Sequence, residues 1–188
     1  WSQGDLAEAA ELSRPSIDRA ERTRVGDDTL DIIVAALEAA GVEFTTLGKD
    51  EMCCGIPMLV AGKWDLFEQA LRHNSAAMQA RGVEEVVTSC PACWLVWNTY
   101  YPQWAEKLGI PFDFKAKHYS QILAEKISAG EFALTEVPES LKAQIAANGT
   151  ATLTFHDSCH IGRAGGVYEP PRDLIRAIPN VELVEMAH

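Results

Sequence analysis

Glu85-Val-Val-Thr-Ser-Cys-Pro-Ala-Cys-Trp94 begins as a short apolar run of strand type and passes with almost no spacer into a Cys-x-x-Cys turn. Residues 95–108 then carry helical spacing, so a buried strand feeds a helix through a loop that holds two thiols. Working outward, residues 29–40 predict an amphipathic helix closed by Gly41, 42–47 a strand, 64–81 a helix, 110–114 a weak strand, 119–129 a helix and 151–155 a strand ending at His156. Strands separated by helices predict an α/β layer architecture with a mainly parallel sheet. In such sheets ligands gather beyond the carboxyl ends of strands, where Cys53, Cys90 and Cys159 all fall on this reading.

The five cysteines are grouped as Cys53-Cys54, Cys90-Pro91-Ala92-Cys93 and Cys159, with 35 residues between the first two knots. Packing two loops would bring four thiols together. Adjacent cysteines strain the geometry a disulfide prefers, and secreted disulfide frameworks are short and cysteine-dense. The spacing therefore favours thiolate ligation of a soft metal centre, iron–sulfur, zinc or copper(I), over a scatter of buried thiols. A redox dithiol at Cys90 and Cys93 is the main rival, because Cys-x-x-Cys depresses a thiol pKa.

The chain has 188 residues, 47% of them hydrophobic and 23% charged, which suits a soluble globular protein with a sizeable core. No apolar run approaches the roughly 20 residues of a membrane span. The chain opens at Trp1 without a Met or a signal-peptide pattern, and reduced cysteines predict a cytoplasmic location or a cytoplasmic face. A formal net charge of −11 works against nonspecific attraction to nucleic acid. A weak internal repeat pairs Ala40-Gly-Val-Glu-Phe44 with Pro179-Asn-Val-Glu-Leu183, and on that offset the second copy of the Cys-Cys-Gly would fall past His188.

From about Thr29 onward the sequence resembles the cysteine-rich "CCG" domains of the heterodisulfide reductase B/D subunit family, shared with iron–sulfur subunits of glycolate, lactate and anaerobic glycerol-3-phosphate dehydrogenases. The matching text is Ala40-Gly-Val-Glu-Phe44, Cys53-Cys54-Gly55, Val87-Thr-Ser-Cys-Pro-Ala-Cys93, His156-Asp-Ser-Cys-His-Ile-Gly-Arg163 and Val167-Tyr-Glu-Pro170. The resemblance implies Rossmann-like CCG domains, a first at 29–145 and an incomplete second at 146–188, after a helical segment at 1–28. It implies that Cys53, Cys54, Cys90 and Cys93 ligate a first [4Fe–4S] cluster, of the noncubane kind in some members, and that Cys159 opens the ligand set of a second. It also implies a flavin-, ferredoxin- or quinone-linked redox partner that could hold the chain peripherally on a membrane. The family's further cysteine, some thirty residues before Cys53, has no counterpart here. Four thiolates still suffice for a [4Fe–4S] cluster or, as the alternative, a structural zinc.

Residues 1–44 also resemble the later helices of a Cro/repressor-type helix-turn-helix: Trp1-Ser-Gln-Gly-Asp-Leu-Ala-Glu-Ala-Ala10, then Leu12-Ser-Arg-Pro-Ser-Ile17 and Asp18-Arg-Ala-Glu-Arg22. Residues 13–24 hold four Arg against one Asp and one Glu, which suits phosphate contacts. A DNA-binding regulator with a redox- or metal-sensing cysteine module is therefore the alternative function, and a helical cap on the α/β body is the plainer account of the same residues.

Other candidates are weaker. His156, Asp157 and His160 flank Cys159 and could form a metal site or a proton relay. The Gly162-Arg-Ala-Gly-Gly166 run lacks the spacing of a phosphate loop and reads as a turn. His73 and His118 read as isolated solvated or core histidines. Trp94, Trp97, Tyr100, Tyr101 and Trp104 read as core and interface filling rather than an electron route. The expectation is an iron–sulfur electron-transfer subunit or domain of a heterodisulfide-reductase-like oxidoreductase, relaying electrons or reducing a disulfide.

Overall fold

The computed structural model describes residues 27–186, and they fall into two compact units. Glu43–His118 belong to the first and Tyr119 onward to the second, with Ala35–Val42 grouped with the second. Helix α1 (Asp27–Ala39) is followed by Gly41 at φ 69°, where the N–H groups of Gly41 and Val42 cap the carbonyls of Glu38 and Leu37.

In the first unit a 3-10 turn at Gly48–Asp50 precedes the short helix α2 (Ile56–Val60) and the long helix α3 (Trp64–Gln79). Helix α3 buries Phe67, Ala70, Leu71, Asn74 and Ser75, the i, i+3, i+4, i+7, i+8 stripe of an amphipathic helix with two polar residues in its lower half. Strand β1 (Glu85–Thr88) then gives way to α4 (Pro91–Leu95), a π turn (Val96–Tyr100) and α5 (Tyr101–Leu108), and β2 (Lys115–His118) follows. β1 and β2 pair in parallel, Val86 with Ala116 and Thr88 with His118. The core of the unit is Cys54, Met58, Phe67, Leu71, Val86, Val96, Trp97, Tyr101 and Ala105.

The π turn has a local cause. Pro102 has no N–H to offer the carbonyl four residues back, and its ring would crowd that carbonyl in a regular α-helix. The wider turn relieves both, and Tyr101 N–H bonds to the Val96 carbonyl instead.

In the second unit α6 (Tyr119–Ser128), α7 (Glu139–Asn148) and β3 (Ala151–Leu153) lead to a second π turn (Cys159–Ala164), then α8 (Glu169–Arg176) and β4 (Val181–Leu183). α8 packs on α6, and β3 pairs in parallel with β4, Ala151 with Val181.

The α/β class and parallel pairing are as expected, but the described strands form two separate pairs. Residues 42–47 form no strand: Glu43 to Thr46 are exposed and find no ladder partner among the described residues. The weak strand expected at 110–114 is displaced to Lys115–His118, because Phe112 and Phe114 turn onto Trp97 at ring separations of 5.9 and 5.7 Å. The expected helices at 95–108 and 64–81 are present with shifted ends, the former starting at Pro91.

Candidate functional site

Two loops of the first unit bring four cysteines together. The first leaves the 3-10 turn in extended form at Glu51 and delivers Cys53 and Cys54 to Gly55, whose φ of 78° begins α2. Only glycine suits this point. Its φ is left-handed, and a Cβ there would stand 3.0 Å from Phe67 Cδ2 and 3.1 Å from Ala70 Cβ. The second loop leaves β1 at Thr88 and places Cys90 in extended conformation just before Pro91, the first residue of α4. Cys93 lies one turn on and donates its S–H to Cys54 Sγ at 3.2 Å, across the two loops. Cys54 is 5% exposed, while Cys53, Cys90 and Cys93 are half-buried, and none of the five cysteines is in a disulfide.

The thiols influence one another in series. Hydrogen bonds from Cys53 and then Cys93 hold Cys54 well below the ordinary thiol range, against the opposing effect of burial. Cys90 is brought down to about 6, first by the Cys93 thiol and then by the N–H groups of Cys93 and Ala92, with burial again opposing. Cys93 is pushed up first by its hydrogen bond to Cys54, then by its contact with Cys90, and by burial. Two thiols are thus biased toward thiolate around one that keeps its proton.

Helix α3 fixes the first loop through its polar residues. Asn74, 2% exposed, donates from Nδ2 to the Cys53 carbonyl at 3.3 Å and to the Tyr101 hydroxyl at 2.9 Å. His73 Nε2 donates to the Asp50 carbonyl at 3.0 Å, and Arg81 pairs with the Asp50 carboxylate at 2.9 Å. On the second loop, His118 at the end of β2 donates from Nε2 to the Ser89 carbonyl at 3.2 Å. Burial brings its pKa down to about 4, so it is neutral at physiological pH. Ser75, Thr88 and Trp94 are buried with side-chain polar atoms that have no hydrogen-bond partner.

Cys159 belongs to the second unit and is exposed, with Sγ 3.2 Å from His160 Nδ1. Asp157, a weaker candidate beside it for a metal site or proton relay, is engaged elsewhere. Its carboxylate receives Arg172 Nη1 at 2.6 Å and Nη2 at 2.9 Å, while Glu185 takes Arg172 Nε at 2.8 Å. The Arg172 guanidinium holds the Asp157 carboxyl below its ordinary range and does the same to Glu185. The glycine-rich run is a packed turn: a Cβ on Gly162 would meet Asp157 Cβ and Tyr168 Cε1, each at 3.3 Å.

The donor set suits a thiolate-ligated centre: four sulfurs from two loops, two of them pushed toward thiolate, one buried and three half-buried. The sulfurs are drawn into mutual contact, and among the described residues no three Cys, His, Asp or Glu side chains are already grouped as metal ligands. Bonds of about 2.3 Å in a tetrahedral zinc site would part sulfurs to roughly 3.8 Å. The 3.2 Å contact would have to open slightly.

Sequence reading passed over Asn74, took Tyr101 as core or interface filling and took His118 as an isolated solvated or core histidine. A signal for Asn74 was available, since a polar residue at i+7 of the Phe67 stripe must find a buried partner.

The sequence matches the family described as "CCG: Cysteine-rich domain" over residues 18–96 and 153–188, which include all five cysteines. It is 33% identical over 153 residues to the D subunit of the dihydromethanophenazine:CoB–CoM heterodisulfide reductase of Methanosarcina acetivorans, covering 80% of this chain and 34% of that one. It is 30% identical to an EtfAB:quinone oxidoreductase of Syntrophomonas wolfei, over 82% of this chain and 19% of the relative. It is also 30% identical to a probable membrane-anchored ferredoxin of Chromohalobacter salexigens, over 97% of this chain and 27% of the relative. The chain spans about a third or less of the length of these relatives. No solved structure matches.

The segment read as a DNA-contacting helix, residues 13–24, lies outside the described residues. The family match begins inside it at residue 18, and the ferredoxin match takes in nearly the whole chain, so the comparisons give the helix-turn-helix reading no support. Among the described residues no helix is long and apolar enough to cross a membrane.

Proposed function

The chain belongs to the cysteine-rich CCG domain family, and from that premise we propose that it is an iron–sulfur electron-transfer portion of a heterodisulfide-reductase-like oxidoreductase. Cys53, Cys54, Cys90 and Cys93 would hold a [4Fe–4S] cluster, and Cys159 would supply the first ligand of a second. The observation that carries this reading is the cross-loop contact of Cys54 with Cys93, which joins the Cys-Cys-Gly to the Cys-x-x-Cys at 3.2 Å.

When bound, such a cluster supplies one-electron storage at a potential set by its surroundings. The residues of this chain supply the rest. The buried Cys54 anchors the ligand set at its apolar floor, and the half-buried Cys53, Cys90 and Cys93 keep one side near solvent. Gly55 and Asn74 hold the first loop against α3, and His118 holds the second through Ser89. Phe67, Trp97 and Tyr101 keep water from the inner face. A Rossmann-like arrangement in CCG domains at 29–145 and 146–188 fits the parallel strand pairs. A flavin-, ferredoxin- or quinone-linked partner protein would deliver or accept electrons, in the cytoplasm or at the cytoplasmic face of a membrane.

Iron, acid-labile sulfide and zinc should be measured on protein purified without oxygen, with an electron paramagnetic resonance spectrum before and after reduction. Stoichiometric iron and sulfide with a redox-responsive signal is the expected result, and Cys93→Ser should lose most of the iron. Stoichiometric zinc would replace the electron-transfer reading with a structural one, and full iron retention in Cys93→Ser would remove that residue from the ligand set.

A further inference from the structure

Cys54 and Cys93 stand closer than two thiolate ligands of one zinc do. Their sulfurs are 3.2 Å apart across the two loops, 39 positions apart in sequence, whereas a disulfide holds its sulfurs at about 2.05 Å. Roughly 1.2 Å of closure therefore joins them, and rotation about the two Cα–Cβ bonds supplies a movement of that size. The backbone on both sides is already anchored. Cys54 is 5% exposed within the core of the first unit, on the loop that Asn74 ties to α3 through the Cys53 carbonyl. Cys93 packs against the same core from the first turn of α4, with the buried Trp94 and Leu95 following it. Other cross-links are less apt: Cys53 and Cys54 are adjacent, which strains a disulfide, and Cys159 belongs to the second unit.

We propose that Cys54 and Cys93 form a redox-modification site: when no metal is bound, a small disulfide oxidises them to a cross-loop disulfide that shuts the four-cysteine site until it is reduced. The closing of the site rests on the metal-binding reading given above; the bond itself does not. The half-buried Cys93 is the sulfur that the oxidant reaches. As the Cys93 proton passes along its hydrogen bond to Cys54, Cys93 Sγ bonds to one oxidant sulfur and the other leaves as a thiolate. Cys54 Sγ then bonds to Cys93 Sγ, and the second oxidant sulfur leaves with the proton. The two protein sulfurs lose two electrons and the oxidant takes up two. Only Cys53 and Cys90 then remain as thiols of the set, too few for a tetrahedral zinc or a [4Fe–4S] cluster.

The full chain, purified without oxygen and stripped of metal by a chelator under reductant, should be incubated with oxidised glutathione, alkylated and mapped by mass spectrometry. The expected product joins the peptide of Cys54 to that of Cys93; Cys53→Ser should keep the link and Cys54→Ser should lose it. Cobalt(II) uptake, read from the sulfur-to-metal charge-transfer band, should fall about tenfold in the oxidised chain and return on reduction. A Cys90–Cys93 bond as the main product, glutathione adducts alone, unreacted thiols, or links scrambled to include Cys159 would overturn the proposal, as would full cobalt uptake by the linked chain. If the chain as purified holds no iron, the cluster reading fails on its own measurement, and the mapped link still decides whether Cys54 and Cys93 pair.

Discussion

Two of the three cysteine-bearing turns, the Cys-Cys-Gly and the one at Cys159, are held by different physics. Around Cys53 and Cys54 the loop is pinned by close packing: a glycine seated on Phe67 and Ala70, an asparagine inside the apolar stripe, and a thiol floor 5% exposed. Around Cys159 the loop is pinned by charge, with Arg172 clamping Asp157 and Glu185, bonding the Tyr168 carbonyl at 2.9 Å and lying over the Phe155 ring at 5.6 Å, while the cysteine itself is exposed. Packing fixes position with little tolerance and little dependence on solution conditions. A partly hydrated ion cluster tolerates movement but answers to pH and salt. The contrast predicts that the first turn fails through volume and the second through protonation.

The largest expected effect is Gly55→Ala. Left-handed strain and the ring contact together should cost about 2–4 kcal/mol in urea unfolding. A loss below ~1 kcal/mol would mean that the loop can yield and that packing does not fix it.

Arg172→Met should come next, lowering Tm by a few degrees near neutral pH. Its sharper signature is pH dependence. Asp157 and Glu185 have depressed folded-state pKa values, so their contribution is present above the ordinary carboxylate pKa and is lost as pH falls below about 4 and through the folded values. The wild type should lose Tm over that window and Arg172→Met should lose less; parallel curves would break the comparison.

Gly166→Ala should have the smallest effect. Its φ of 74° is as left-handed as that of Gly55, but nothing stands within 4 Å of the added Cβ. Backbone strain of about 1–2 kcal/mol is all it should incur. The difference between the two alanine variants isolates the contribution of packing at the Cys-Cys-Gly.

Much of the site was legible because its chemistry is local. Clustered cysteines beside Gly and Pro already specify two tight loops, and the strand-to-helix reading of residues 85–94 needed no distant information. The losses lie where a partner decides. Residues 42–47 alternate like a strand, yet a strand exists only by pairing, whereas the unpromising Lys-Ala-Lys-His of β2 becomes one because β1 lies beside it. Helix α7 escaped because it buries no residue, and so shows no apolar stripe to read. Asn74 and Tyr101 were visible as residue types, but their shared hydrogen bond joins positions 27 apart in sequence, a separation no local pattern spans.

The π turn after the Cys-x-x-Cys can also be read as a matter of angular phase. Cys93 and Tyr101 are eight positions apart, which in an uninterrupted α-helix would set them about 80° apart around the axis. One additional residue in the turn holds back everything beyond it by about 100°, which leaves the pair within roughly 20° of a common meridian. Pro102, which makes the regular helix untenable, thus sets the rotation that turns an aromatic residue toward the same side as a sulfur two turns earlier.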